Sequence, residues 1–227
     1  MPEAAIGIVV PVLNEDAILD RALSHLACVA RGIPVVVVDG GSTDTSLDVA
    51  RRYFTTRASG EPNRGVQMNL GAASLATEAL LFLHADSRLP EGFEKPIGRV
   101  LRDPRVVGGC FRLRFDVAHP MLRFYAWCTR FPGRFLHFGD QAFFVRREVF
   151  LRMGGFRNLP FLEDVDFLRR LRRYGRFQIL PEQVLTSARR FLRRGIVRQQ
   201  LTNIMVVTLF ELGCSPGKLI RFYPPVR

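Results

Sequence analysis

Lysine is almost missing from this chain. Of 33 basic residues in 227, only Lys95 and Lys218 are not arginine, a preference that compositional bias explains without any function. Cysteine is scarce as well. Cys28, Cys110, Cys128 and Cys214 lie far apart and make no C-x-x-C pair, which argues against a zinc site or disulfide framework and fits a reducing compartment. Long apolar runs are lacking: Ile204 to Leu212 is broken by Thr208 and Glu211, far short of the roughly 20 residues of a spanning helix. Met1 to Ala5 carries no basic stretch, so no signal peptide is expected. No G-x-G-x-x-G is present, which excludes a dinucleotide oxidoreductase, and the G-x-G-x-G turn of a methyltransferase is missing too. Neither repeats nor low-complexity linkers occur. The expectation is one soluble, cytoplasmic domain with an ordinary core, given 48% hydrophobic residues.

Positive charge is in excess. The net charge is +12, and the arginines concentrate after residue 145, with doublets at Arg146-Arg147, Arg169-Arg170, Arg172-Arg173, Arg189-Arg190 and Arg193-Arg194. Such a surplus suits nucleic acid, anionic lipid headgroups or a phosphorylated substrate. No stacking motif accompanies the arginines, so nucleic acid is the weakest of these. On Arg169, Arg170, Arg172 and Arg173 the spacing reads as a solvated helix face.

Strand and helix patterns alternate. Ile6 to Val10, Val35 to Val38, Ala79 to Leu83, Val106 to Phe115, Ala142 to Val145 and Phe177 to Leu180 read as strands. Glu15 to Arg31, Thr45 to Tyr53, Gln67 to Leu75, Pro90 to Leu101, Met121 to Arg130, Glu163 to Tyr174 and Gly195 to Leu212 read as helices, with Pro90 near a first turn. Alternation of this kind implies α/β architecture, a mostly parallel central sheet flanked by helices in one Rossmann-like domain.

The chemistry concentrates at strand ends. Val35 to Val38 is a strand buried on both faces that runs into Asp39-Gly40-Gly41-Ser42-Thr43-Asp44. Open α/β sheets bind ligands at that edge, and a carboxylate there needs donors of the kind a base or ribose supplies. Asp44 reads equally as a helix N-cap. His84-Ala85-Asp86 ends the third strand and is either a polar loop pair or a divalent-metal site, the imidazole favouring Mn2+ over Mg2+. Glu163-Asp164 opens a helix, where acids are favourable on electrostatic grounds alone. The Gly154-Gly155-Phe156 loop before it suggests a mobile, substrate-covering element.

Together these segments resemble glycosyltransferase family 2, with its GT-A fold. Val10-Pro11-Val12-Leu13-Asn14-Glu15 is similar to the family's first strand and turn. Val37 to Asp44 resembles its nucleotide loop, with Gly40 where a second acid often stands. Leu83-His84-Ala85-Asp86 resembles the D-x-D segment, with His84 at the first acid. Gly154-Gly155-Phe156 followed by Glu163-Asp164 resembles the acceptor loop and base. Asn63 to Asn69, Leu81 to Ser87, Phe138-Gly139-Asp140-Gln141 and Ser187-Ala188-Arg189-Arg190-Phe191 resemble a short bacterial subgroup.

The resemblance implies roles. Pro11, Asn14 and Glu15 would line the nucleotide pocket, with Asp39 on the base and Gly41 and Asp44 in the same loop. Arg64 and Asn69 would lie near ribose and phosphates. Asp86, with His84, would hold a divalent cation, Mn2+ or Mg2+. Arg189 and Arg190 would neutralise the leaving diphosphate. Asp164 would be the general base with Glu163 beside it, giving inverting transfer of a sugar from a nucleotide donor to an acceptor hydroxyl or phosphate. About 1–105 would hold the donor and about 106–227 the acceptor. The residues themselves, Arg189 to Arg198 beside the apolar run Ile204 to Leu212, suggest a region resting on an anionic membrane surface, where a lipid-linked or phosphorylated acceptor would be met. The competing readings are a methyltransferase-like Rossmann enzyme and a basic protein binding anionic surfaces or nucleic acid without catalysis.

Overall fold

A computed structural model describes residues 5–133 and 137–223. Most of Met1 to Ala5, read above for a signal peptide, lies outside the described residues. The strands are β1 (Ile6–Val12), β2 (Val35–Asp39), β3 (Thr55–Ala58), β4 (Ala79–Phe82), β5 (Ser87–Arg88), β6 (Val106–Phe115), β7 (Phe143–Arg146) and β8 (Arg176–Thr186). The helices are α1 (Asp16–Val29), α2 (Ser46–Arg51), α3 (Arg64–Ala73), α4 (Glu94–Leu101), α5 (Pro120–Cys128), α6 (Arg147–Arg152), α7 (Glu163–Leu171), α8 (Arg189–Arg194), α9 (Ile196–Glu211) and α10 (Pro216–Leu219).

One sheet runs in the order β3-β2-β1-β4-β7-β6-β8-β5. The pairs β1–β2, β1–β4, β2–β3 and β6–β8 are parallel, and β7 and β5 enter antiparallel. The carboxyl ends of β1, β2, β4, β6 and β8 therefore share one edge, which carries Asp39 and the segment after Phe82. Alternation explains why the valine strand has no polar face. Val35 and Val37 pack with Leu19, Leu23 and Leu26 of α1 on one side of the sheet. Val36 and Val38 pack with Met68 and Ala72 of α3 on the other. Helices on both faces make β2 apolar throughout.

Two prolines sit in strands without breaking ladders. The β4 ladder on β1 ends at Val9, so Pro11 faces β2 alone through Val38. On β8, register jumps from Phe111–Leu180 to Arg112–Gln183, and the bulge takes up Pro181 and Glu182. That bulge carries β8 six residues past the expected stop at Leu180. The helix expected from Pro90 begins instead at Glu94, because Gly92 adopts a left-handed φ of 66°. β3 escaped notice because it is a short, largely exposed edge strand with no apolar period. All four cysteines are free. Among the described residues no helix is long and apolar enough to cross a membrane.

Candidate active site

The first two strand–helix loops are stitched together by side chains. Asn14 has a left-handed φ of 52°. Its amide oxygen accepts from the Thr43 N–H at 2.8 Å, and its own N–H donates to Ser42 Oγ at 2.9 Å. Asp44 accepts from the N–H groups of Ser46 and Asp16, at 2.9 and 3.2 Å, and so caps the starts of α2 and α1 together. Asn14 and Asp44 thus hold the two loops together.

Asp39 keeps one carboxylate oxygen unpartnered. Its Oδ2 accepts from the N–H groups of Gly41 and Ser42, at 2.9 and 3.0 Å, while the buried Oδ1 has no partner. An orphaned buried carboxylate oxygen is costly unless a ligand donor completes it. Gly40 is explained by Gln67, whose Nε2 donates to Val12 O and Val38 O, both at 2.8 Å. A Cβ on Gly40 would lie 3.0 Å from that nitrogen, so Gln67 fills the space a larger residue would need.

Acids and bases converge next to these loops. Buried Glu163 accepts from Arg64 at 3.3 Å. Asp164, its neighbour, is only partly buried. Its carboxylate is aimed by two backbone donors, Gly139 N–H at 2.6 Å and Val165 N–H at 2.8 Å. A Cβ on Gly139 would come within 2.6 Å of His84 Nε2 and 3.0 Å of Asp164 Oδ2, which brings His84 and the Asp164 carboxylate to one point. Burial pushes the His84 imidazole well below its usual value, and Arg64 pushes it the same way. Burial holds Asp86 above the usual carboxylate range against the pull of Arg64 and Arg189. Glu163 is also raised, by burial first, with Arg64 opposing.

Asp140 is a fourth acid in this cluster, and no role is expected of it from the sequence. Burial, then repulsion from Asp164 and Asp86, raises its carboxyl to about 7, and its buried Oδ1 has no partner. A short 3-10 turn, Gly139–Gln141, presents it. The turn is locked from beneath: His137 Nδ1 lies 2.9 Å from Gln141 Oε1, and the Cys110 thiol donates to the same oxygen at 3.3 Å. Ala142 and Leu162, which flank Asp140 and Glu163, adopt left-handed φ values of 46° and 63°. With Asn14 they are the only non-glycine residues so placed among the described residues, and all three lie in loops that shape this site.

The Gly154-Gly155-Phe156 loop is fastened, contrary to the mobile cover expected of it. Asn69 Oδ1 accepts from Phe156 N–H and its Nδ2 donates to Phe156 O, both at 2.9 Å. Asn69 thus holds this loop through the amide expected near ribose and phosphates. Phe156 is buried and stacks on Phe167 at 4.3 Å. Arg170 donates to Gly155 O at 2.8 Å and to buried Asp166 at 2.8 Å. Arg170 and Arg172 are therefore tethers rather than a solvated face, Arg172 donating to Gly133 O at 3.1 Å.

Cations close the far side. Arg189 donates to Glu15 at 2.7 Å, a contact across 174 residues. Burial raises the Glu15 carboxyl, with Arg189 opposing. Arg190 lies over the Tyr223 ring at 4.6 Å, and burial lowers its guanidinium. Tyr223, a second residue given no role from sequence, comes from the end of the described chain, where no local pattern marks it. Among the described residues no three His, Cys, Asp or Glu are arranged to hold a metal alone. His84 and Asp86 still suit a cation that takes its other ligands from diphosphate and water.

Known proteins are similar to this chain in sequence and in fold. The profile of Glycosyl transferase family 2 matches residues 7–159. Validoxylamine A glucosyltransferase of Streptomyces hygroscopicus subsp. limoneus is 47% identical over 51 residues, 21% of this chain and 11% of that protein. A PGL/p-HBAD biosynthesis glycosyltransferase of Mycobacterium bovis is 31% identical over 182 residues, 71% of this chain and 67% of its own length. The mannosyltransferase PcManGT from Pyrobaculum calidifontis, solved with GDP-Man and Mn2+, has a TM-score of 0.69 at 18% identity, covering 96% of this chain and 67% of that one. S. aureus TarS 1-349 in complex with UDP gives 0.66 at 14% identity, covering 96% and 69%. The structures show the fold and the profile shows the family: the chain belongs to glycosyl transferase family 2, a glycosyltransferase with the GT-A fold.

Proposed function

We propose that this chain moves a sugar from a nucleoside-diphosphate donor to an acceptor hydroxyl or phosphate in one inverting step, with Asp164 as general base. The observation that carries this is the division within the acidic pair. Glu163 is buried against Arg64, whereas Asp164 remains accessible and is oriented by Gly139. The acceptor proton passes to Asp164 as the acceptor oxygen bonds to the anomeric carbon. The bond from that carbon to the diphosphate breaks, and the nucleoside diphosphate leaves with the electron pair.

Asp39 Oδ1 receives a donor group from the base, supported by its orphaned state. Pro11, Asn14, Glu15, Gly41 and Asp44 form the wall around it. Arg64, Arg189 and Arg190 offset charge on the leaving diphosphate. His84, uncharged at neutral pH, and Asp86 would hold a divalent cation, Mn2+ or Mg2+. When bound, the cation supplies further neutralisation of the leaving group. The half to about residue 105 holds the donor and the remainder the acceptor.

The acceptor is lipid-linked or phosphorylated and is met at the cytoplasmic face of an anionic membrane. In support, α9 exposes Val197, Leu201, Ile204 and Met205 beside Arg198, around an open cavity of about 710 Å³. Asp164→Asn tests the reaction: transfer is expected to fall by roughly 100-fold or more while nucleotide-sugar binding stays near the parent value. Full turnover in that variant would assign the base elsewhere.

A further inference from the structure

A second cavity, of about 500 Å³, opens between β6 and α5, away from the carboxylate cluster. Its lining includes Arg112, Arg114, Arg123, Arg130 and Trp127. Among the described residues none of these four arginines pairs with an acid. The Nε of Arg112 is buried without a hydrogen-bond partner, an expensive state for a charged donor unless a ligand completes it. Asp116, the one acid in the lining, accepts from the Ala188 N–H at 2.8 Å.

Three large rings stand exposed beside this basic groove: Phe124 at 58%, Trp127 at 45% and Phe131 at 42%. Trp127 stacks with Phe124 at 6.0 Å, meets Phe131 edge-on at 4.7 Å and lies under the Arg130 guanidinium at 5.3 Å. The rings already engage one another, so they present an apolar ridge rather than a row of free faces for stacked bases. A soluble anion would use the arginines and leave the ridge in water. Headgroup phosphates with acyl chains beneath would satisfy both, since tryptophan and arginine favour that boundary.

We propose that the β6–α5 groove binds the phosphate of an anionic membrane lipid, with Phe124, Trp127 and Phe131 resting at the headgroup–acyl boundary. The proposal rests on the membrane reading above and adds a headgroup site distinct from the apolar face of α9. Phe191 of α8 packs on Phe115 of β6 and Tyr125 of α5, at 5.4 and 6.3 Å, and so links the groove to the segment carrying Arg189 and Arg190.

Co-sedimentation with phosphatidylcholine vesicles, with and without phosphatidylglycerol, tests it. The full chain is expected to bind only the anionic vesicles. Replacing exposed Arg123 and Arg130 together by Gln is expected to lower partitioning roughly 30-fold, about fivefold per arginine. The same exchange at exposed Arg51 and Arg52 of the opposite half serves as a charge-matched control and should change it far less. Equal losses in both pairs, no dependence on phosphatidylglycerol, or full displacement by inorganic pyrophosphate would overturn the lipid site, the last in favour of a soluble anion. A nucleotide-sugar thermal shift on the Arg123/Arg130 variant separates the two readings. An intact shift with lost vesicle binding supports the groove, and vesicle binding that survives the exchange refutes it whether or not a donor binds.

Discussion

Replacing Asp140 by Asn should change how stability depends on pH. The folded protein keeps a proton on this carboxyl up to about pH 7, whereas the unfolded chain releases it near the ordinary value of 3.8. Between those values the folded state binds more protons than the unfolded state, so raising pH destabilises the fold. At roughly 1.4 kcal/mol per pH unit, the full window is worth at most about 4 kcal/mol. The part above pH 5 is worth at most about 3 kcal/mol. Asn keeps the shape and has nothing to ionise. Thermal unfolding of both proteins at pH 5 and pH 8 isolates the effect, because titrations common to both cancel in the difference. From pH 5 to pH 8 the parent should lose roughly 5–10 °C relative to the variant. Asp164→Asn, which removes one repulsive neighbour, should move the parent's inflection to lower pH. Parallel pH profiles for parent and Asp140→Asn would refute the reasoning.

Three further predictions concern the site. Asp86→Ala should remove the part of nucleotide-sugar affinity that depends on Mn2+, measured by calorimetry with and without the ion; undiminished Mn2+ dependence would move the cation elsewhere. Gly139→Ala forces a methyl against His84 Nε2 and Asp164 Oδ2, and turnover should fall on the order of 100-fold with the fold retained. Asn69→Ala strands both backbone groups of Phe156, and chemical denaturation should show a loss of roughly 2–4 kcal/mol; a neutral result would mean that the loop has other anchors.

Much of the architecture was legible because it rests on local pattern. The unbroken valines of β2 could be satisfied only by apolar neighbours above and below, and the acid after them had to lie at the carboxyl edge of a parallel sheet. Glu163 and Asp164 stood out for the same reason, as acids opening a helix. The difference between their surroundings was not legible. That depends on Arg64 and Gly139, 99 and 25 residues away. Asn69 illustrates the limit. The family resemblance implied a place near ribose and phosphates, while its amide lies against Phe156, 87 residues on. The fastened glycine loop was missed for the same cause, since its anchors come from α3 and α7. Asp140 lacked any periodic signal, and its high carboxyl value comes first from burial and then from Asp164 and Asp86, which only the fold brings beside it.

We propose a nucleotide-sugar pocket read by Asp39 and completed by a cation at Asp86. A thermal-shift panel of nucleotide sugars, each with and without Mn2+, tests it most directly. At about 100 times its dissociation constant a bound donor stabilises by roughly 2.7 kcal/mol, or roughly 5–10 °C for a chain of this length. One donor class should give that shift, larger with Mn2+, and Asp39→Asn and Asp86→Ala should each diminish it. A panel with no shift for any nucleotide sugar, or a shift untouched by both substitutions, would contradict the account.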